Sequence, residues 1–549
     1  MTMKPAPIPP IPDETKRIAT AAFPKGNVYL QMRDEIGNLY QDDLFIDLYS
    51  DEGQPGWSPW RLALVTIMQF AENLSDRQAA DAVRARLDWK YALSLELTDP
   101  GFHYSILSEF RARLVASEKS QILLDQTLSI FKEKGWLKAR GQQRTDSTHV
   151  LATVRELNQV EVVGETFRYT LNTLATVVPD WLREPMKAEW VERYGERLDE
   201  YRLPKEKGER EALVNLIGQD GQYLLECIEK ESVLRWLKEI PAVQILKQVW
   251  EQQYKIEAGQ IRHRELKEMP PVREWIRSPF DPEARYGKKR SRHWIGYKVH
   301  LTETCDDDRP HLITQVETRP AIEQDNEATA DIQNQLVKSE LCPQQHLVDA
   351  GYVSAKLILE SRENHGIDLI GPVHVDPSWQ AHTPGAFDAT QFQVDWEAQS
   401  AICPQGQRSI GWYPEKDSQQ EPVVRIMFGP KTCLACPCRS QCSKAKNGGR
   451  TLVLRAEGRH QILQLARERQ QTEIFKQIYR KRSGIEGTLS QAVRNGGLRR
   501  SRYAGRAKTH LQNIAIAVAT NIKRSIDWLN ETPLAPTRRS RFTSLVVTA

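Results

Sequence analysis

Apolar positions recur at three- and four-residue spacing through WRLALVTIMQFAENL, DRQAADAVRARLDWKYALSL and HYSILSEFRARLV, the period of amphipathic helices. Ser75 and Asp76 stand where a helix start needs a capping oxygen, and Pro100-Gly101 breaks the pattern before the third segment. Residues from about 21 to 140 therefore read as an all-helical N-terminal module, preceded over 1–20 by a proline-rich leader expected to be disordered. The period then changes. QQRTDSTHVLATV is a β-branched run that predicts a strand carrying Asp146. Long charged amphipathic segments from about 160 to 270 predict an all-helical insertion. Strand signals resume at WIGYKVHLTETC and HLITQVETRPA, followed by the helical ATADIQNQLVKSEL, the buried run HLVDAGYV, the helical AKLILESRENHG and the short strand DLIGPV. That alternation predicts an α/β domain over about 141–530, a mixed sheet flanked by helices. A cysteine-containing loop/β insertion is expected over about 375–455, a continuous helix from Glu457 to Gly496, and a flexible tail over 531–549 with Arg538, Arg539 and Arg541.

A length of 549 residues exceeds what one core usually supports, so more than one domain or large insertions are expected. With 40% apolar and 27% charged residues the chain should fold rather than remain disordered. The apolar stretch Ile514 to Ile522 falls short of the roughly 20 residues a membrane span requires, and the N-terminus lacks the apolar core of a secretory signal. A cytoplasmic, nucleoid-associated protein with no membrane partner is the expectation.

The net charge of +4 conceals an asymmetry, because residues 450–508 hold fifteen Lys and Arg against four Glu. Such a segment, with Arg494, Arg499, Arg500 and Arg502, suits DNA or RNA; the competing reading is a solvated helix face. In DPEARYGKKRSRHWIGYKVH, Lys288, Lys289 and Arg290 alternate with Tyr286 and Trp294, a pattern that can follow phosphates and stack on a base. A charged hairpin with its aromatics in the core would read the same. Arg77, Arg84, Arg86 and Lys90 decorate the N-terminal helices, which suits either a helix-turn-helix DNA binder or a plain helical domain.

Phosphoryl transfer with divalent cations needs carboxylates brought together from separate elements. Asp146 in its strand and Asp349 at the end of HLV suit such ligands, although an Asp closing a strand is commonly a turn residue. Tyr479, Arg482 and Glu486 share one helix face, as a surface Arg-Glu pair also would. Gly484 and Gly487 flank the Glu at a helix-propensity cost of about 1 kcal/mol each, which points to a close approach there, DNA backbone being one candidate. Of eight cysteines, Cys403, Cys433, Cys436, Cys438 and Cys442 lie late in the chain. Their spacing suits a structural zinc site, with free thiols or an iron-sulfur cluster as alternatives.

The segment from YRKRSGIEG to NIKR, together with TDSTHV and VDAGYVS in that order, resembles bacterial insertion-sequence DDE transposases that carry a Tyr-x2-Arg-x3-Glu signature. The resemblance spans nearly the whole chain. It implies a ribonuclease-H-like catalytic domain in which Asp146, Asp349 and Glu486 hold two Mg²⁺ or Mn²⁺ ions per site. Tyr479 and Arg482 would contact phosphate near a transposon end, and Cys403, Cys433, Cys436 and Cys442 would be the zinc set. The longer signature has a Lys seven residues after the Glu, where this chain has Val493, then Arg494. The implied activity is terminal-repeat binding, DNA cleavage and strand transfer by a homodimer on double-stranded DNA. A non-catalytic DNA-binding derivative or a ribonuclease-H-like nuclease would share much of this pattern.

Overall fold

The structure, a computed structural model, describes residues 2–533 except 51, 55, 258, 290 and 419. Arg290 and the arginines of the tail lie outside the described residues. No described helix is long and apolar enough to cross a membrane.

The N-terminal module contains helices Asp13–Ala22, Pro59–Ala71, Asp76–Ala85, Ser105–Ala116 and Ile122–Glu133, with shorter turns between them. Ser75 accepts from the Gln78 amide while the Gln78 side chain accepts from Ser75, a reciprocal cap that fixes one helix start. The leader expected to be disordered instead forms helix Asp13–Ala22. Thr15 and Ala19 are buried there, and Thr15 Oγ1 donates to the Leu95 carbonyl at 2.9 Å. Helix Pro59–Ala71 is apolar on nearly every side because it lies inside a core shared with the long C-terminal helix Arg506–Leu529 and the central sheet.

That sheet comprises β1 (Gln142–Leu151), β2 (Arg285–Lys289), β3 (Arg292–Thr304), β4 (Ile313–Pro320), β5 (Gln345–Leu347) and β6 (Asp368–Ile370). β1 is antiparallel to β3, whose other edge pairs first with β2 and then with β4. On its far side β1 runs parallel to β5, and β5 parallel to β6. Alternation sorts the two faces. Tyr297, Val299 and Leu301 of β3 enter the core shared with the N-terminal module. His300 turns the other way to meet Tyr352, beside helices Asp325–Lys338 and Ala355–His365.

One of the two insertions departs from expectation in detail. The 160–270 region has its own apolar core on helices Gln159–Val177, Lys207–Lys230 and Pro241–Gln253, but it ends in a hairpin, Tyr254–Glu257 with Gln260–His263, and so is not all-helical. The cysteine region contains a three-stranded sheet of Gly411–Lys416, Pro422–Met427 and Thr451–Arg455. The helix expected to run unbroken from Glu457 stops at Arg469. Thr472 then caps a new helix, Glu473–Arg480, by accepting from the Phe475 amide, because its short side chain competes for backbone groups.

A buried ionic triad locks the later helices to the sheet. Glu303 of β3 has no solvent exposure and accepts from Arg144 of β1 at 2.7 Å and from Arg524 of the C-terminal helix at 2.6 Å. Thr488 Oγ1 donates to the same carboxylate at 2.6 Å, and Arg144 also donates to the Lys481 carbonyl. Burial alone would raise the Glu303 pKa; Arg524, Arg144 and Thr488 outweigh it and hold the carboxyl below its ordinary 4.5. The resulting stability is complete above pH 4.5 and is lost as pH falls below it. Glu303→Gln should lower unfolding free energy by about 3–5 kcal/mol, because two guanidinium groups lose their counter-charge; urea denaturation across pH should show a flatter acid limb. A Cβ at Gly484 would stand 2.2 Å from Arg144 Nη1, whereas one at Gly487 would meet nothing within 4 Å. Gly484→Ala is therefore expected to destabilise, and Gly487→Ala to stabilise by up to about 1 kcal/mol, in the same assay.

Candidate active site and nucleic-acid interface

Three carboxylates approach one guanidinium at the end of the sheet. Asp146 lies on β1 with its side chain 12% exposed and its Oδ1 accepting from the Ser147 amide at 2.7 Å. Asp349 follows β5 and caps a short 3-10 turn, Ala350–Tyr352, by accepting from the Gly351 amide at 2.8 Å. Glu486 lies in the first turn of helix Gly484–Gly496 and is 67% exposed. This run is less uniform than one α-helix, since Lys481–Ser483 tightens into a 3-10 turn, but the backbone stays right-handed through Lys481, Ser483 and Gly484. Tyr479, Arg482 and Glu486 therefore still gather.

The Arg482 guanidinium stands between all three acids. It lies 2.7 Å from Asp146, 3.6 Å from Asp349 and 3.2 Å from Glu486, while its own Nε is buried without a hydrogen-bond partner. Burial raises the Asp146 pKa; Arg482 opposes the rise, and the neighbouring Asp349 adds to it. Burial also raises the Tyr479 phenol, which feels Arg482 and all three acids and stacks on Phe475 at 5.5 Å. Among the described residues no group of three or more His, Cys, Asp or Glu side chains is drawn together as a metal-holding cluster. The donor chemistry nonetheless fits a hard divalent cation, because three carboxylates from separate elements already share one positive charge.

Two basic stretches far apart in sequence converge beside Asp146. The β2–β3 hairpin presents exposed Lys288 and Lys289, paired in register with His293 and Arg292. From the other side Arg499 donates to Thr148 Oγ1 at 2.9 Å, and its carbonyl accepts from the Leu151 amide. Between them stands His149, whose pKa is lowered by burial and then by Arg499, Arg292 and Lys289. Sequence reading missed His149, because nothing local marks a strand histidine as the meeting point of distant cations. Arg494 and Arg500 are also exposed.

Several expected contacts turn inward. Trp294 is 6% exposed, donates to the Tyr297 carbonyl and covers Gly287, so its ring is unavailable for stacking on a base. Arg502 donates to the Leu74 carbonyl and lies over the Phe70 ring, which ties its guanidinium to the N-terminal module. Arg86 pairs with Glu72 and Asp88, and Lys90 is buried against the carbonyls of Glu96 and Asp99. Gly484 makes room for Arg144, not for DNA; of the two glycines flanking Glu486, Gly487 is the one that faces open space.

Cys403, Cys433, Cys436 and Cys442 line one small pocket with Arg439 and Arg450, and Cys438 is not among its lining residues. Burial raises the Cys442 thiol, Arg450 lowers it, and Cys433, Cys403 and Cys436 raise it further. Backbone amides of Gln407 and Arg450 donate to the sulfurs of Cys403 and Cys433. The four thiols share this pocket, although among the described residues they form no metal-holding cluster.

Comparison with known families adds two matches. A transposase DDE domain model matches residues 402–526, which include Tyr479, Arg482, Glu486 and the four gathered cysteines, and a second transposase domain model, DUF772, matches residues 18–113 in the helical module. No curated protein and no solved structure matches. Asp146 and Asp349 lie outside both matched regions, so their place in the site rests on geometry. The chain thus has family matches to a transposase DDE domain and to a second transposase domain, both consistent with an insertion-sequence DDE transposase.

Proposed function

We propose that this protein is a DNA transposase that binds the terminal repeats of an insertion sequence and carries out metal-dependent strand cleavage and strand transfer. The observation that carries the reading is the single guanidinium of Arg482 in contact with Asp146, Asp349 and Glu486. The strand order, three antiparallel strands joined through β1 to two parallel ones, supports a ribonuclease-H-like catalytic domain. Bound Mg²⁺ or Mn²⁺ would supply Lewis-acid stabilisation of the attacking and leaving oxygens. Asp146, Asp349 and Glu486 are the residues that would hold it. Arg482 offsets part of the charge of these acids, and its guanidinium is the group beside them that could contact a phosphate. Lys288, Lys289, Arg494, Arg499 and Arg500 would position the duplex beside Asp146, with Tyr479 packed at the edge of the site. Two copies acting on paired ends would complete the assembly.

Cleavage of a labelled duplex carrying the element's own terminus tests this reading. With Mg²⁺ or Mn²⁺ the wild type should nick at the terminus, and Asp349→Ala and Glu486→Ala should each lose at least about a hundredfold in rate while still binding the DNA. A wild type that binds this DNA and never cuts it, both ends supplied, would make the protein a non-catalytic DNA binder. Cutting without preference for the terminus would make it a nuclease.

For the cysteine pocket we propose a structural Zn²⁺ on Cys403, Cys433, Cys436 and Cys442, supported by their convergence and by the two amide-to-sulfur hydrogen bonds. Elemental analysis of purified protein should find about one zinc per chain, retained in Cys438→Ser and lost in Cys436→Ser. Retention in Cys436→Ser would remove the proposal.

A further inference from the structure

The sheet has a second polar cluster, on the face opposite Asp146. Ser147 follows Asp146, so alternation turns its side chain to the other side of β1. There its hydroxyl donates to Asp325 Oδ1 at 3.1 Å. Lys298 of β3 reaches the same oxygen at 3.0 Å and also donates to the Glu323 carbonyl at 2.7 Å. The pair is largely buried, with side chains 16% and 18% exposed.

Asp325 opens helix Asp325–Lys338, where an acid is favoured by the helix dipole, and a helix-start ion pair would be the plain structural account. That account does not cover the other carboxylate oxygen. A methyl group built on Gly351 would stand 3.3 Å from Asp325 Oδ2 and 3.0 Å from Asp349 Oδ1. The two carboxylates thus flank the space that a side chain at position 351 would fill, and the Gly351 amide holds Asp349 Oδ1. Fully buried Tyr352 follows, with its hydroxyl 2.6 Å from His300 Nδ1 and its carbonyl accepting from Thr329 of the same helix. Asp325 therefore touches Ser147, the chain neighbour of Asp146, and its other oxygen lies beside Asp349 at the open side of Gly351. Its negative charge, on the Oδ1 side of Asp349, favours the orientation in which Asp349 Oδ2 faces Arg482.

We infer that Asp325, braced by Lys298 and Ser147, is a positioning residue that sets the separation of Asp146 and Asp349 and thereby the affinity of the site for divalent cations. The inference rests on the metal-binding reading given under Proposed function. Groups behind metal ligands typically alter affinity by about 10–100-fold when removed. Asp325→Asn keeps the size of the side chain and the acceptor for Ser147 and Lys298 while discarding the charge. Ser147→Ala cuts the link to β1 and leaves the Asp325–Lys298 pair in place.

The test is Mn²⁺ binding to the full-length, DNA-free protein, followed by electron paramagnetic resonance of free Mn²⁺, with thermal melting of each variant alongside. Asp325→Asn should weaken binding by about tenfold or more and Ser147→Ala by a smaller factor, both with near-wild-type melting. If Asp349→Ala abolishes binding while Asp325→Asn and Ser147→Ala bind as the wild type does, the positioning role is overturned and the metal-site reading stands. A melting change without an affinity change likewise overturns it, leaving a purely structural ion pair. If Asp349→Ala binds Mn²⁺ as the wild type does, or the wild type binds none, the metal-site reading itself falls and the inference falls with it.

Discussion

The buried carboxylate of Glu303 holds two arginines that would otherwise have no reason to lie inside the protein. Arg144 comes from the strand that carries Asp146, and Arg524 comes from the C-terminal helix. A triad of this kind contributes little net stability compared with an apolar core, but each member is costly to leave unpaired. It therefore acts as a register pin. Through Arg144 and the Lys481 carbonyl it sets where the 3-10 turn begins, and through Thr488 it sets the rotation of the helix that carries Glu486. Gly484 is part of the same device, since any side chain there would enter the Arg144 guanidinium.

The candidate site depends on that register. Arg482 meets Asp146 only because Lys481, one residue earlier, is tied to β1. Charge balance then governs the site. Asp146 is largely buried and disfavours ionisation, while Asp349 and Glu486 are progressively more exposed. One guanidinium offsets three acids, which leaves a residual negative potential that suits added cations. The basic hairpin and Arg499 border the acids instead of mixing with them.

The helical N-terminal module is not a loosely tethered appendage. Helix Pro59–Ala71, the sheet and the C-terminal helix share one apolar core, and Arg502 bonds across that junction to Leu74. A transposase domain match in the module and a DDE domain match near the C-terminus are therefore joined by packing as well as by the chain.

The sequence alone determined the elements and the order of the motifs. Helical and strand periods are local properties, and they located β1 with Asp146, the turn at Asp349, the helical run of Tyr479, Arg482 and Glu486, and the two insertions. The gathering of the three acids agrees with the three motifs read from the chain. Tertiary structure decided which charged and aromatic side chains face solvent. Trp294 and Lys90 read as surface contacts in the chain and are interior in the fold, while Arg502 and Arg86 are half-buried on partners within the N-terminal module. His149, Glu303 and Asp325 carried no signal and became central. The reason is physical: a long polar side chain is buried only when distant segments bring it a partner, and the identity of that partner is written in neither the residue nor its neighbours.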